Sequence, residues 1–396
     1  ECEPLLYKDN TLMQRHTAEL MAGIKLIQQL LSPERTVIGI KSKNSRSIEQ
    51  VRRFAPETDL EIHLLEDYYP SGDEVNLLFE ITGKTIPPAG IPLAINIVVL
   101  NVETVINIQR ASRDQPVTHT MITVNGAVRQ PVTSWFPIGI SFAEAIAFAG
   151  GSNLRDYVAI DGGPMMGRIV EDMDTPVVKA SSGILVIPRD HGYARLMTSS
   201  PESRTRIGRS ACDQCNMCTQ MCPRYLLGYP VEPHRVMRHQ QTITTPPVSR
   251  WGELCCECGI CTLVSCPENL DPRLACQLSK QSLRQIGEKY NGPKIAVPHP
   301  LGDYRKLASK QVIRRLGLSA YQTETPFREF EAFSGNLRLK LSQHAGTAAT
   351  PVVKAGDRIK TDQLLAEVQP DQPGVGVHSP INGTVIGVNE EEIVIQ

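Results

Sequence analysis

Two periods of apolar residues run through the first hundred positions. Leu20, Ile24, Ile27 and Leu31 recur three or four apart, one stripe of an amphipathic helix that Ser32-Pro33 ends. Short apolar-rich runs at 36–40 (TVIGI), 60–65 (LEIHLL) and 95–100 (INIVVL) predict strands, with a helix over 47–55 between the first two. Strands alternating with helices predict an α/β domain over 1–112 built on a mostly parallel sheet.

The pattern changes near Pro116. Residues 119–128 (HTMITVNGAV) alternate around an Asn-Gly pair, which predicts a hairpin turn there. A helix follows, opened by a capping box of Ser141 and Glu144 and closed by Gly150-Gly151. With a strand at 183–188 this predicts an α+β module over 113–192, a β-grasp sheet crossed by one helix. Residues 200–292 hold the cysteines and predict a helix from Asp271-Pro272 to Asn291-Gly292. Residues 293–335 read as a connector with a basic amphipathic helix near Leu307–Leu316. From 336 to 396 short strands alternate with glycine turns, a small all-β unit.

A chain of 396 residues exceeds one ordinary core. Its net charge of −1 is dispersed, so neither nucleic acid nor an anionic membrane is expected as partner. No apolar run reaches the roughly 18 residues of a membrane span, and a cytoplasmic location with reduced thiols is expected. Against that setting, 11 cysteines argue for metal or redox chemistry rather than disulfides.

Cys212, Cys215, Cys218 and Cys222 form C-x2-C-x2-C-x3-C-P, the bacterial ferredoxin spacing. Cys255, Cys258 and Cys261 repeat the triplet, and Cys266 follows with one extra residue, which predicts a small bulge before it. Three cysteines two apart can wrap one corner of a cubane; the fourth reaches the neighbouring cluster. The expected sets are therefore Cys212, Cys215, Cys218 and Cys266 on one 4Fe–4S cluster, and Cys222, Cys255, Cys258 and Cys261 on the other. Structural zinc prefers two C-x2-C pairs, which these triplets overfill. Cys2, Cys256 and Cys276 fit no spacing and read as small hydrophobes.

Two adjacent clusters carry single electrons and cannot accept a hydride, whereas a flavin takes electrons in pairs and releases them singly. Three segments, 1–9, 69–78 and 98–105, join turn residues to carboxylates or amides; on composition alone they are solvated loops. Read in order, E-C-E-P, Y-P-S-G-D-E and L-N-V-E-T resemble the flavin- and NADH-binding subunit of respiratory complex I and the C component of the Rnf complex. The resemblance implies FMN contacts at Glu1, Tyr69, Gly72, Asp73, Glu74, Asn101 and Thr104, and a nicotinamide contact at Glu3. Leu100 replaces an amide of that pattern and Asp73 shortens a Glu. These carboxylates would position cofactors; none is expected to act as a catalytic nucleophile or base.

The β-grasp module resembles the SLBB domain of the same families, and G-G-P-M-M-G (162–167) is similar to a stretch found there, although by itself such a loop reads as a turn. The last unit resembles a barrel-sandwich hybrid, without a lysine after Lys360 to carry a swinging arm. The order of flavin domain, SLBB, two-cluster module and barrel sandwich resembles the PduS-type cobalamin reductases of propanediol-utilisation microcompartments. That implies FMN, two 4Fe–4S clusters, NADH as donor and a corrinoid as acceptor. It also implies a cobalamin adenosyltransferase and a shell protein as partners, in a bacterial microcompartment. No D-x-H-x-x-G corrinoid signature occurs, so the corrinoid is expected as substrate. An Rnf-type electron-transport component and a non-catalytic electron-transfer scaffold are the alternatives. The family's glycine-rich phosphate loop precedes E-C-E-P, so this sequence is expected to be part of a longer chain and, alone, to hold flavin poorly.

Overall fold

The computed structural model describes residues 3–241, 249–331 and 335–396. In the first domain α1 (Lys8–Arg15), α2 (Thr17–Leu31) and α3 (Ser45–Phe54) surround β1 (Val37–Lys41) and β2 (Glu61–Leu65), which pair in parallel from Val37↔Glu61 to Lys41↔Leu65. Then come β3 (Tyr68–Tyr69), α4 (Glu74–Thr82) and α5 (Val102–Ala111). Leu12, Leu20, Ile24, Ile40, Val51 and Ile106 form the core. The expected strand at 95–100 is corrected. Pro92–Ile95 is a 3-10 turn, Asn96 is left-handed, and the following residues pair with no strand, leaving Val98 and Leu100 exposed. Pro92 opens the turn just ahead of the run and the αL Asn96 breaks the run itself, so among the described residues this sheet has two strands.

The second module has β4 (His119–Gly126), β5 (Val132–Pro137), α6 (Phe142–Phe148), β6 (Tyr157–Asp161), β7 (Arg168–Val170) and β8 (Gly183–Pro188). Its sheet runs β5-β4-β8-β6-β7, with β4 and β8 parallel. The capping box opens α6. Asn125-Gly126 is not the hairpin turn. Asn125 is fully buried within β4, its amide donating to Leu5 O at 3.1 Å and Tyr321 O at 3.3 Å, and the chain reverses over 127–131. Buried partners hold this Asn in the strand against its turn preference.

The cysteine module contains α7 (Gly192–Thr198), α8 (Pro201–Ala211), α9 (Met217–Gln220), α10 (Pro223–Leu226), α11 (Pro233–Gln241) and α12 (Pro272–Gln285). Asp271 caps α12 through Leu274 N, as its sequence requires, but the helix stops at Gln285 and Gly287 takes the left-handed conformation, short of Asn291-Gly292. The connector adds β9 (Leu307–Ala308), paired with β3, and α13 (Ser309–Arg315).

At the end of the chain β10 (Leu337–Lys340), β11 (Thr350–Pro351), β12 (Arg358–Ile359), β13 (Leu364–Glu367), β14 (Val377–His378), β15 (Gly383–Val388) and β16 (Glu392–Ile395) build two small sheets, β10-β16-β15-β12 and β11-β13-β14. Leu337, Leu339, Ile393 and Ile395 join Phe136, Ile138 and Ile140 of the β-grasp module in one buried core. Among the described residues no helix is long and apolar enough to cross a membrane.

Candidate iron–sulfur and flavin sites

Each cysteine triplet is wound by the same turn. Gln214 and Asn216 in the first, and Glu257 and Gly259 in the second, all have positive φ between 60° and 82°. These kinks bend the backbone around its sulfurs. At Gly259 no side chain could follow, because a Cβ would lie 2.7 Å from Met165 O. The extra residue before Cys266 is absorbed by a π turn, Cys261–Ser265, which is the expected bulge in helical form.

Two cavities result. Cys212, Cys215, Cys218 and Cys266 line one, together with His234 and Met237. Cys222, Cys255, Cys258 and Cys261 line the other, and Cys256 lines it as well. Each cavity thus draws three cysteines from one motif and one from the other. Among the described residues no three His, Cys, Asp or Glu side chains converge to hold a metal ion. The sulfurs ring a space instead of meeting at a point, which suits a cluster better than zinc.

Backbone and amide donors face the sulfurs. Glu257 N donates to Cys255 Sγ at 3.3 Å, Leu270 N to Cys266 Sγ at 3.4 Å, and Gln214 Nε2 to Cys212 Sγ at 3.2 Å. Burial, then the crowding thiols of Cys266, Cys212 and Cys215, pushes Cys218 up to about 12. Burial, and then Cys256 and Cys255, likewise raises Cys222. Thiols packed so tightly in a dry space resist ionising unless positive charge sits among them, and iron supplies that charge. The donor set therefore fits the clusters. Cys256, expected as a small hydrophobe, packs partly buried against the core that contains Leu5, Met165 and Ile260, and it also lines the second cavity. Cys276 is fully buried on α12, in the apolar cluster against which Cys255 packs.

The flavin-motif residues fall into two groups. Tyr69, 1% exposed, donates its hydroxyl to Cys258 O at 2.8 Å. Asp73 caps α4 through Asn76 N and receives Arg224 in a bidentate pair at 2.6 and 2.9 Å. Arg224 directly follows Cys222-Pro223, so both contacts tie the 69–74 turn to the second cavity. Glu3 takes its hydrogen bonds from Met165 N and Met166 N, each at 2.9 Å. The G-G-P-M-M-G loop is therefore an anion cradle whose occupant is a carboxylate of this chain. A Cβ at Gly163 would lie 2.2 Å from Glu3 Oε2. Asn101 belongs to the second group: it caps α5 through Glu103 N and donates to Asp9 at 3.1 Å. Thr104 and Glu74 are exposed, Gly72 is partly buried, and Glu1 lies outside the described residues.

The turn nevertheless fits a polar ligand. Ser71 Oγ is fully buried there without a hydrogen-bond partner among the described residues, and α4 and α5 both begin at the flavin motifs. A buried network joins two of the flavin-motif segments and supports this region. Lys8 Nζ bonds Glu103 Oε2 at 2.6 Å, and the other oxygen of Glu103 accepts from Thr120 Oγ1 and Met121 N, both at 3.1 Å. Glu103 stands in L-N-V-E-T and Lys8 in the 1–9 segment, but the two are 95 residues apart and only the fold pairs them.

Comparison with known proteins agrees with this layout. Residues 1–110 match the Nuo51 FMN-binding domain, 121–169 the SLBB domain, 211–271 the 4Fe-4S dicluster domain, and 320–396 the RnfC barrel sandwich hybrid domain. Cobalamin reductase PduS of Salmonella typhimurium is 36% identical across all of this chain and 88% of its own length. The protein of the same name from Citrobacter freundii is 35% identical with the same coverage. The C component of the proton-translocating ferredoxin:NAD(+) oxidoreductase complex of Clostridium ljungdahlii is 32% identical, over 57% of this chain and 47% of its own.

Proposed function

This chain belongs to the PduS cobalamin reductase family and is an iron–sulfur flavoprotein electron-transfer reductase; from that premise we propose that it passes electrons from NADH to the cobalt of a corrinoid. The observation that carries the reading is the bonding of the flavin-motif turn to the second cysteine cavity, through Tyr69 to Cys258 O and Asp73 to Arg224. When bound, FMN accepts a hydride's electron pair and the two 4Fe–4S clusters relay those electrons singly.

The chain's own residues give the relay a direction. The second cavity, with Cys222, Cys258 and Cys261 buried, abuts the flavin turn and is the entry. The helix that carries Cys218 packs on the π turn that begins at Cys261, so the two cavities are neighbours. The first cavity reaches the surface at exposed Cys215 and is the exit. We assign Cys212, Cys215, Cys218 and Cys266 to the exit cluster and Cys222, Cys255, Cys258 and Cys261 to the entry cluster. Glu74, Thr104 and the hydroxyl of Ser71 remain available to a flavin. Tyr69, Asp73 and Asn101 hold the walls of its site, and Glu3 holds the loop at 163–166. An adenosyltransferase presenting the corrinoid at the Cys215 face, a shell protein and a microcompartment location complete the proposal.

Protein purified without oxygen should contain about eight irons, and Cys215→Ala should lose roughly half of them. The protein supplied with FMN should oxidise NADH and reduce cob(III)alamin. Colourless protein holding zinc would overturn the cluster assignment. Full iron with no flavin-dependent NADH oxidation would overturn the reductase reading in favour of an electron-transfer scaffold.

A further inference from the structure

Each cysteine motif ends in Cys-Pro and then a charged residue, and the two charges are opposite. Arg224 follows Cys222-Pro223; Glu268 follows Cys266-Pro267. Because the fourth cysteine of each motif serves the other motif's cavity, Arg224 stands by the entry cavity and Glu268 lines the exit cavity. Their settings differ. Glu268 is exposed, where water and salt screen it. Arg224 is 8% exposed and directly follows Pro223, which lines the entry cavity.

A buried charge acts through a medium that screens it far less than water does. Cluster potentials respond to net charge, to hydrogen bonds on sulfur and to solvent access. A cation held against the entry cavity stabilises the more negative, reduced form of whatever is bound there. Asp73 opposes it. That carboxylate grips the same guanidinium with both oxygens, at 2.6 and 2.9 Å.

Building on the two-cluster reading, we propose that Arg224 raises the reduction potential of the entry cluster and that Asp73 holds this rise in check. Arg224 is a positioning residue: it touches neither substrate nor the reacting atoms, and it acts through the field and through the turn it grips. The pair also joins the flavin motif to the cysteine module, so the adjustment sits where electrons cross between them.

The test is a potentiometric titration of the full-length protein followed by EPR, with the entry-cluster signal identified in Cys215→Ala, where only that cluster is expected. Arg224→Gln should move the entry-cluster midpoint to more negative potential, and Arg224→Lys should leave it near wild type. Asp73→Asn should move it to more positive potential. The exit-cluster midpoint should stay put in all three. Opposite signs for Arg224→Gln and Asp73→Asn are the decisive outcome, because a mere loosening of the junction would drive both the same way. Equal shifts of both clusters, or no shift in either variant at full iron content, would overturn the proposal. If Arg224→Gln loses the entry cluster, Asp73→Asn still decides the sign. A wild-type protein with no iron would instead overturn the two-cluster reading itself.

Discussion

Glu3 meets the 163–166 loop as an acid meets two donors, and burial decides its protonation. The residue is only partly exposed to its surroundings while its carboxylate is enclosed, and that enclosure raises its pKa to about 7 against the N–H groups of Met165 and Met166 and the charges of Arg273 and Lys41. A carboxyl whose folded pKa lies above its ordinary value of 4.5 binds its proton more tightly in the folded state. Its contribution to stability is complete below pH 4.5, shrinks as the pH rises toward 7, and is flat above. Glu3→Gln should therefore show a weaker fall in unfolding midpoint between pH 4.5 and 7 than wild type. Parallel curves for the two proteins would show that Glu3 does not titrate in that range.

At the scale of elements, the left-handed kinks of the cysteine turns are the demanding parts. Asn tolerates αL backbone, so Asn216 supports the first turn at little cost. The second turn has no such latitude, because Met165 O approaches Gly259 from the SLBB loop and Arg273 Nη1 bonds that same carbonyl at 2.8 Å. An Ala in αL costs roughly 1–2 kcal/mol before any clash is counted. Gly259→Ala should lose about half the iron by the two-cluster reading, whereas Asn216→Gly should keep its full complement. Iron analysis of the two variants checks this. Equal retention would mean that the SLBB loop yields to the added methyl.

For the whole molecule, the terminal barrel sandwich is part of the SLBB core rather than an appendage. Leu337, Leu339 and Ile395 are fully buried in the cluster that contains Val132, Phe136 and Ile140. Backbone joins them too, with Arg338 N donating to Gly139 O at 2.9 Å. Removing 336–396 should uncover this apolar face. The shortened chain is expected to melt earlier and to bind an apolar dye such as ANS, while its iron content holds, because the cysteine module has its own cores. A truncated protein that melts like wild type would show that the two units are independent.

Local chemistry determined much of this protein. The spacing of Cys212 to Cys222 and of Cys255 to Cys266 requires two sulfur-lined spaces that trade their fourth cysteines, since a fourth cysteine set off by three or four residues cannot fold back into its own turn. The box at Ser141–Glu144 and the cap at Asp271 are likewise written within four residues of where they act. Where partners come from afar, sequence fell short. Asn125-Gly126 has the composition of a turn, yet Leu5 O and Tyr321 O keep it in a strand. Residues 95–100 have the composition of a strand, but among the described residues no strand pairs with them. Glu3, Tyr69 and Asp73 stand in recognisable motifs, and only tertiary packing decided that their polar atoms face the SLBB loop, Cys258 and Arg224. Hydrogen bonds and charges act at a few ångströms, and residues 150 positions apart reach that range only once the chain has folded.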